Sequence, residues 1–176
     1  MAATEDVVIE FEAPVETIGS RRLVRFPAQA SAALPSRGQV AAEITVNGQE
    51  FGTVVEPDGR RGHWLPVDEV RDAVDATVVS VRVEPVKAWP EPVVPEDFAA
   101  ALDAAPDLAG VWTDITPMAR WEWVRWIGAT RNPDTRVRRV EVALDKMRSG
   151  KRRPCCFDLS SCTDPELARS GKLIEP

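Results

Sequence analysis

The spacing of apolar positions changes once along this chain. Up to about residue 85 apolar and polar side chains alternate in steps of two, the signature of strands with one buried face; beyond it they recur every three or four, as on helices. Val7 to Glu12 and Arg22 to Phe26 are predicted strands. The clearest element is a hairpin from Val40 to Val55, folded about Asn47-Gly48. Both turn residues tolerate the positive φ that a two-residue type I′ turn requires. A turn there sets Val46 opposite Gln49, Ile44 opposite Phe51, Ala42 opposite Thr53 and Val40 opposite Val55, with Glu43, Thr45 and Glu50 on the other face. Pro57-Asp58-Gly59 predicts a turn and His63 to Pro66 a short strand. Val67, Val70 and Val74 predict one or two helical turns, and Thr77 to Glu84 a closing strand. Six mostly antiparallel strands leave bare edges unless they close, so a small barrel is predicted.

Prolines at 85, 90, 92 and 95 prevent a helix or a central strand and mark a linker. After it come helix starts: Pro95 followed by Glu96 and Asp97, Pro106, Thr116-Pro117 with a stop at Gly128, and Asn132-Pro133-Asp134 with a stop at Gly150. No strand is expected past residue 85, and there is no internal repeat. The expected organisation is α+β: a barrel over 5–85, a linker over 86–94, a helical module over 95–153 and a tail over 154–176.

The segment 120–140 concentrates the unusual residues, with Trp121, Trp123 and Trp126 set among arginines. On its first helix Met118, Trp121, Trp123, Val124, Trp126 and Ile127 leave hardly any polar face, so that helix is expected to be enclosed on several sides. Trp123 and Trp126 then serve either as core or as a stacking surface for a ring, a base or a partner. On the next helix Val137, Val140, Leu144 and Met147 predict a buried stripe, with Ala143 beside it. Arg136 falls inside that stripe, while Arg138, Arg139, Lys146 and Arg148 flank it or face outward. A guanidinium against apolar surface needs a carboxylate, carbonyls or a bound anion. Two readings stand: an ion pair with the acidic N-terminal part, or anion capture helped by the Asn132-Pro133 helix start.

Charge sharpens the contrast between the two parts. Residues 1–110 hold 9 basic and 19 acidic side chains; residues 111–176 hold 13 basic and 9 acidic. Either the two parts attract each other or the basic one meets an anionic partner. Nucleic acid is the second candidate partner, because Arg120 to Arg153 carries 11 basic against 4 acidic residues, though it fits none of the usual nucleic-acid modules. No apolar run is long enough to span a membrane, and the acidic N-terminus does not read as a signal peptide, so a cytoplasmic location is expected.

Catalytic chemistry finds little material. Cys155, Cys156 and Cys162 lack paired metal-ligand spacing and a nearby histidine, so no metal site is expected and the cysteines read as free thiols in a loosely held tail. His63 is the single histidine, and no nucleophile motif accompanies it; it reads as a structural histidine, with a general base as the alternative. No glycine-rich phosphate loop occurs, and no cofactor is expected.

The hairpin Val40 to Val55, Gly62-His-Trp-Leu-Pro-Val67, the strand Val78 to Val83 and Val94-Pro-Glu-Asp-Phe98 resemble a small bacterial β-barrel domain of unknown function. Trp123-Val-Arg-Trp-Ile-Gly-Ala129, Asp134-Thr-Arg-Val-Arg-Arg-Val140 and Gly150-Lys-Arg-Arg153 resemble the helical module of the bacteriocin-protection, YdeI/OmpD-associated family. The resemblance covers roughly residues 5–153 and leaves Cys155 to Pro176 beyond the family's usual end. It implies a double-split barrel followed by helices, and a link to stress or antimicrobial-peptide tolerance, with no catalytic residues to carry over. The resulting expectation is a non-catalytic protein that binds a small ligand or a protein partner in a cleft between barrel and helices, through Arg136, Arg139 and Trp126, with Trp123 and His63 as further candidates. The alternatives are a nucleic-acid-binding protein using the basic helical face and an enzyme using His63; a homodimer through the barrel edge is a further partner candidate.

Overall fold

Asn47 and Gly48 adopt φ of +47° and +84°, the left-handed pair that a two-residue hairpin turn needs. The computed structural model, which describes residues 6–75, 77–154 and 158–175, pairs β3 (Val40–Val46) with β4 (Gln49–Pro57) in the predicted register. Asn47 has a second task. Its backbone N–H donates to Ser80 O at 3.0 Å, and its Oδ1 accepts from Ser80 N at 2.9 Å. These bonds carry the ladder between β3 and β6 (Val78–Pro85) one residue past the Val46–Val81 pair.

With β1 (Ile9–Ile18), β2 (Arg21–Arg25) and β5 (His63–Pro66) the strands close into a barrel in the order β1-β2-β5-β4-β3-β6, every neighbour antiparallel. β1 serves two neighbours in succession, pairing with β6 over Ile9–Pro14 and with β2 over Val15–Ile18. Alternation places Ile9, Ala13 and Val15 inside, together with Val40, Ala42, Ile44 and Val46 and with Val79, Val81 and Val83. A buried valine or isoleucine of this kind contributes about 1.5–3 kcal/mol relative to an exposed one. A short helix the sequence pattern did not predict, α1 (Ala28–Ala33), adds Ala30 to the same core.

The segment after β5 departs from expectation. Val67 to Val74 forms consecutive turns, closed by Val70 N to Val67 O and Ala73 N to Val70 O, and no helix. Val67, Val70 and Ala73 are buried while Val74 is exposed, so the apolar spacing reflects three-residue turns. Asp68 organises them, taking Arg22 N at 2.7 Å and Arg21 Nε at 3.0 Å.

Strands also occur after residue 85. β7 (Ala168–Arg169) and β8 (Lys172–Leu173) form a minimal hairpin about Ser170 and Gly171, both at positive φ. On β2 and β5 the inward residues are Val24 and Leu65, so Leu23 and Trp64 point away from the barrel core. Leu167, Leu173 and Cys162 cover them in a second apolar cluster. Cys162 is therefore a buried thiol and no part of a loose tail; Cys155 and Cys156 lie outside the described residues.

Contacts divide the chain into two units: one of the residues up to 90 with 159–162 and those from 167 onward, the other of 91–158 with 163–166. The second is helical: α2 (Glu96–Asp103), a 3₁₀ turn (Pro106–Leu108), α3 (Ala109–Asp114), α4 (Pro117–Gly128) and α5 (Pro133–Arg148). The predicted starts operate, with Thr116 Oγ1 accepting from Ala119 N at 3.1 Å and Asn132 Oδ1 accepting from Asp134 N and Thr135 N. Pro95 precedes α2 as its cap, one position earlier than the spacing suggested. Phe98, Leu108, Ile115, Trp123, Ile127, Ala143 and Met147 form the core. No helix among the described residues is long and apolar enough to cross a membrane.

Candidate functional site

α4 is enclosed, as its composition demands: from Ala119 to Gly128 no residue is exposed. Trp123 is fully buried, and its Nε1–H donates to Arg152 O at 3.0 Å. That leaves it a packing role. Trp126 is only half-buried and meets Trp123 edge to face, with ring centroids 6.1 Å apart and planes at 81°.

The enclosure extends to charged residues. Arg120 is buried and gives Nε to Glu91 Oε2 at 2.8 Å, Nη2 to Glu91 Oε1, and Nη1 to the carbonyls of Trp112 at 3.0 Å and of Ile115. This guanidinium replaces its hydration with one carboxylate and the ends of α3. Glu122 is buried as well, paired with Arg153 and near Arg125. Burial raises its carboxyl pKa above the usual value, against the opposing pull of Arg153.

The inner stripe of α5 runs through Arg136, Val140, Ala143 and Met147. Val137, expected within it, is 59% exposed. Spacings of four, three and four follow the helical repeat more closely from Arg136 than from Val137. Arg136 meets a carboxylate: Nε donates to Asp97 Oδ2 at 2.6 Å and Nη2 to Asp97 Oδ1 at 2.9 Å. The N–H groups of Asp134 and Thr135 at the start of α5 are taken by Asn132. Both components of the anion-capture reading at this spot are thus engaged within the protein.

Arg139 and Lys146 present a different picture. They stand seven residues apart on α5, two turns along one face, and both reach the Trp126 ring. The Arg139 guanidinium carbon lies 5.4 Å from the ring centroid and Lys146 Nζ lies 5.5 Å from it. Arg139 Nη1 also donates to Trp126 O at 2.7 Å, closing a carbonyl of the last turn of α4. Neither cation has an ion pair with a carboxylate among the described residues. Two like charges on one indole repel each other, and a bound anion would relieve that repulsion.

The other candidate belongs to the barrel unit. His63 is 1% exposed, with Nε2 at 3.0 Å from Gly38 O, which makes Nε2 the protonated nitrogen. Nδ1 has no hydrogen-bond partner among the described residues. Burial holds the imidazole pKa below its ordinary value. A ring buried to this degree is poorly placed for general-base work on an external substrate. No group of three or more metal-ligating side chains occurs among the described residues.

Of the expected candidates, Trp126 and Arg139 lie together; Lys146, expected only to flank the stripe of α5, joins them at a seven-residue spacing from Arg139. Arg120 and Glu122, both buried on α4, were not among the expected site residues. Residues 91–150 match the model of the family described as bacteriocin-protection, YdeI or OmpD-associated, a stretch that opens at Glu91, the partner of Arg120, and closes at Gly150 after α5. Residues 11–81 match the model of a domain of unknown function, DUF1905. No curated protein matches the chain. Residues 91–150 are thus similar to the bacteriocin-protection, YdeI or OmpD-associated family, and residues 11–81, most of the barrel, to DUF1905.

Proposed function

We propose that this protein acts by binding, and that its helical unit recognises an anionic group at Trp126, Arg139 and Lys146. The observation that carries the reading is the pair of cations on one half-buried indole, neither of them neutralised by a carboxylate among the described residues. An indole edge and two cationic heads suit a phosphate or carboxylate attached to a flat or apolar body. Trp123 backs the site through its edge contact with Trp126, while Arg136 is engaged by Asp97. The family description supports a role in tolerance of antimicrobial peptides.

The test uses the ¹⁵N-labelled full chain titrated with inorganic phosphate and then pyrophosphate, following the Trp126 indole N–H, assigned through W126F. The expected result is a saturable shift with half-saturation at millimolar concentration or below, lost in an R139M/K146M double variant. A Trp126 signal that does not move, or that moves equally in the double variant, sinks the reading. A strain carrying the double variant is expected to lose peptide tolerance alongside the shift.

A second reading, nucleic-acid binding, draws on Arg138, which is exposed beside Arg139 and has no ion pair among the described residues. It requires retention on a polyanion column that falls steeply with salt and disappears in R138A/R139A.

A further inference from the structure

The C-terminal segment meets the barrel unit on two sides of one buried histidine. On one side, Gly38 lies so close to the segment that a Cβ there would stand 3.0 Å from Leu159 O. On the other, Asp58 O accepts from Leu173 N at 2.8 Å, and a Cβ on Gly59 would stand 1.9 Å from Gly171 O. His63 connects both: its Nε2–H donates to Gly38 O, and its strand follows the turn that Asp58 Oδ1 holds through Arg60 N and Gly62 N. Its Nδ1 is buried without a hydrogen-bond partner among the described residues.

We propose that residues 159–162 and 167–175 form a strap that stays docked on the barrel unit while His63 is neutral and lifts when His63 is protonated, baring the strip formed by Leu23 and Trp64. Protonation would put a charge in a buried site and a second N–H at Nδ1, which has no hydrogen-bond partner among the described residues, on a ring whose Gly38 acceptor and preceding Asp58 turn both touch the strap. Moving Gly38 or the Asp58 turn outward would admit water to the ring, and either movement breaks the fit with the strap. The lifted face matters because Leu23 and Trp64 already point away from the barrel core, so release exposes apolar surface without unfolding the barrel.

The charged groups that act on the ring are Asp58 on the turn and Arg37 on the loop; Arg25 and Glu56 pair with Trp64, on the opposite face of β5 from His63, and Glu175 meets Arg60 at 3.6 Å. Of these, Asp58 favours the protonated ring and Arg37 opposes it. Burial outweighs both and lowers the docked pKa below 6.5, so docking is fully stable above that value and weakens as the pH falls through it. Each unit of difference between docked and lifted pKa changes the lifted-to-docked ratio about tenfold.

Hydrogen exchange of the full chain tests the strap, with protection factors for the Leu173 and Cys162 amides compared with those of Ile44 and Val46 in the barrel. Between about pH 7.5 and about pH 5, where a histidine changes charge, the strap amides are expected to lose about tenfold in protection while the barrel amides hold. H63Q keeps a neutral donor and is expected to show no such loss. Should H63Q fail to fold, D58N provides the second arm: it keeps the oxygen acceptor, removes the charge that favours protonation, and is expected to move the midpoint to lower pH. Strap protection that does not change with pH, a loss shared equally by the barrel, the same loss in H63Q, or an unmoved midpoint in D58N would overturn the proposal.

Discussion

Arg136 grips Asp97 at two points, Nε to Oδ2 at 2.6 Å and Nη2 to Oδ1 at 2.9 Å. The planar guanidinium matches the carboxylate edge, and the pair ties the first turn of α5 to the first turn of α2. Asp97 Oδ1 also takes the Phe98 N–H at 2.9 Å, which positions the carboxylate beside a fully buried ring. An arginine therefore occupies the inner stripe of α5 because the acceptor it needs stands opposite.

D97N and R136K are each expected to destabilise the helical unit by about 1 kcal/mol or less, since the Asp97 side chain is 46% exposed and water screens the pair. Lysine does not replace the two-point grip. The hydrogen bond from Arg136 lowers the Asp97 pKa below 3.8, so the stabilisation is present above 3.8 and is lost as the pH falls through the lowered value. Urea midpoints of the parent chain and D97N should differ at neutral pH and converge in strong acid.

At the hairpin, N47A is expected to cost about 1–3 kcal/mol, because alanine at φ +47° is strained and the acceptor for Ser80 N disappears. N47G removes the strain but not the lost acceptor and should recover only part of the loss. Equal midpoints for N47A and N47G in thermal unfolding would show that the Ser80 bond, and not the turn conformation, dominates.

G59A should undock the C-terminal segment. The added Cβ would stand 1.9 Å from Gly171 O, on backbone that cannot yield easily, at φ +74°. G48A makes the control, since Gly48 also has positive φ but open space around it. Thiol labelling of Cys162, read by peptide mass spectrometry, is expected to accelerate in G59A and to remain slow in G48A.

Glu122 predicts a pH dependence of the opposite sign. Burial raises its folded pKa above 4.5, so the folded state gains stability as the pH falls through that raised value, and the gain is complete below 4.5. E122Q should flatten this part of the profile. R153A leaves the carboxylate buried without its main partner and is expected to steepen it, read from melting temperatures across the mildly acidic range.

Much of the fold was legible in the chain, and the reason is range. The hairpin register, the starts of α4 and α5 and the change of period all depend on residues a few positions apart. The Asn47-Gly48 turn sets which valines face inward, and one register follows. Val67 to Val74 misled because three-residue turns and helices both bring buried residues together at close spacing, and only hydrogen bonds to Asp68 and Arg22 separate them. Within the candidate site, Trp126 and Arg139 stood out by type, whereas Lys146 resembled any solvated lysine.

What the sequence determined by itself is local: alternation, turn chemistry, caps, and the need for an enclosed α4. Tertiary structure alone decided that Leu167 and Leu173 cover Leu23 and Trp64, that Glu91 receives Arg120, and that one indole receives two cations. Such pairings join residues far apart in the chain, and their free energy comes from burial and charge neutralisation that exist only once the chain has closed on itself. No spacing in the sequence carries that information, because the partner of a buried charge is whichever residue the folded backbone brings within reach.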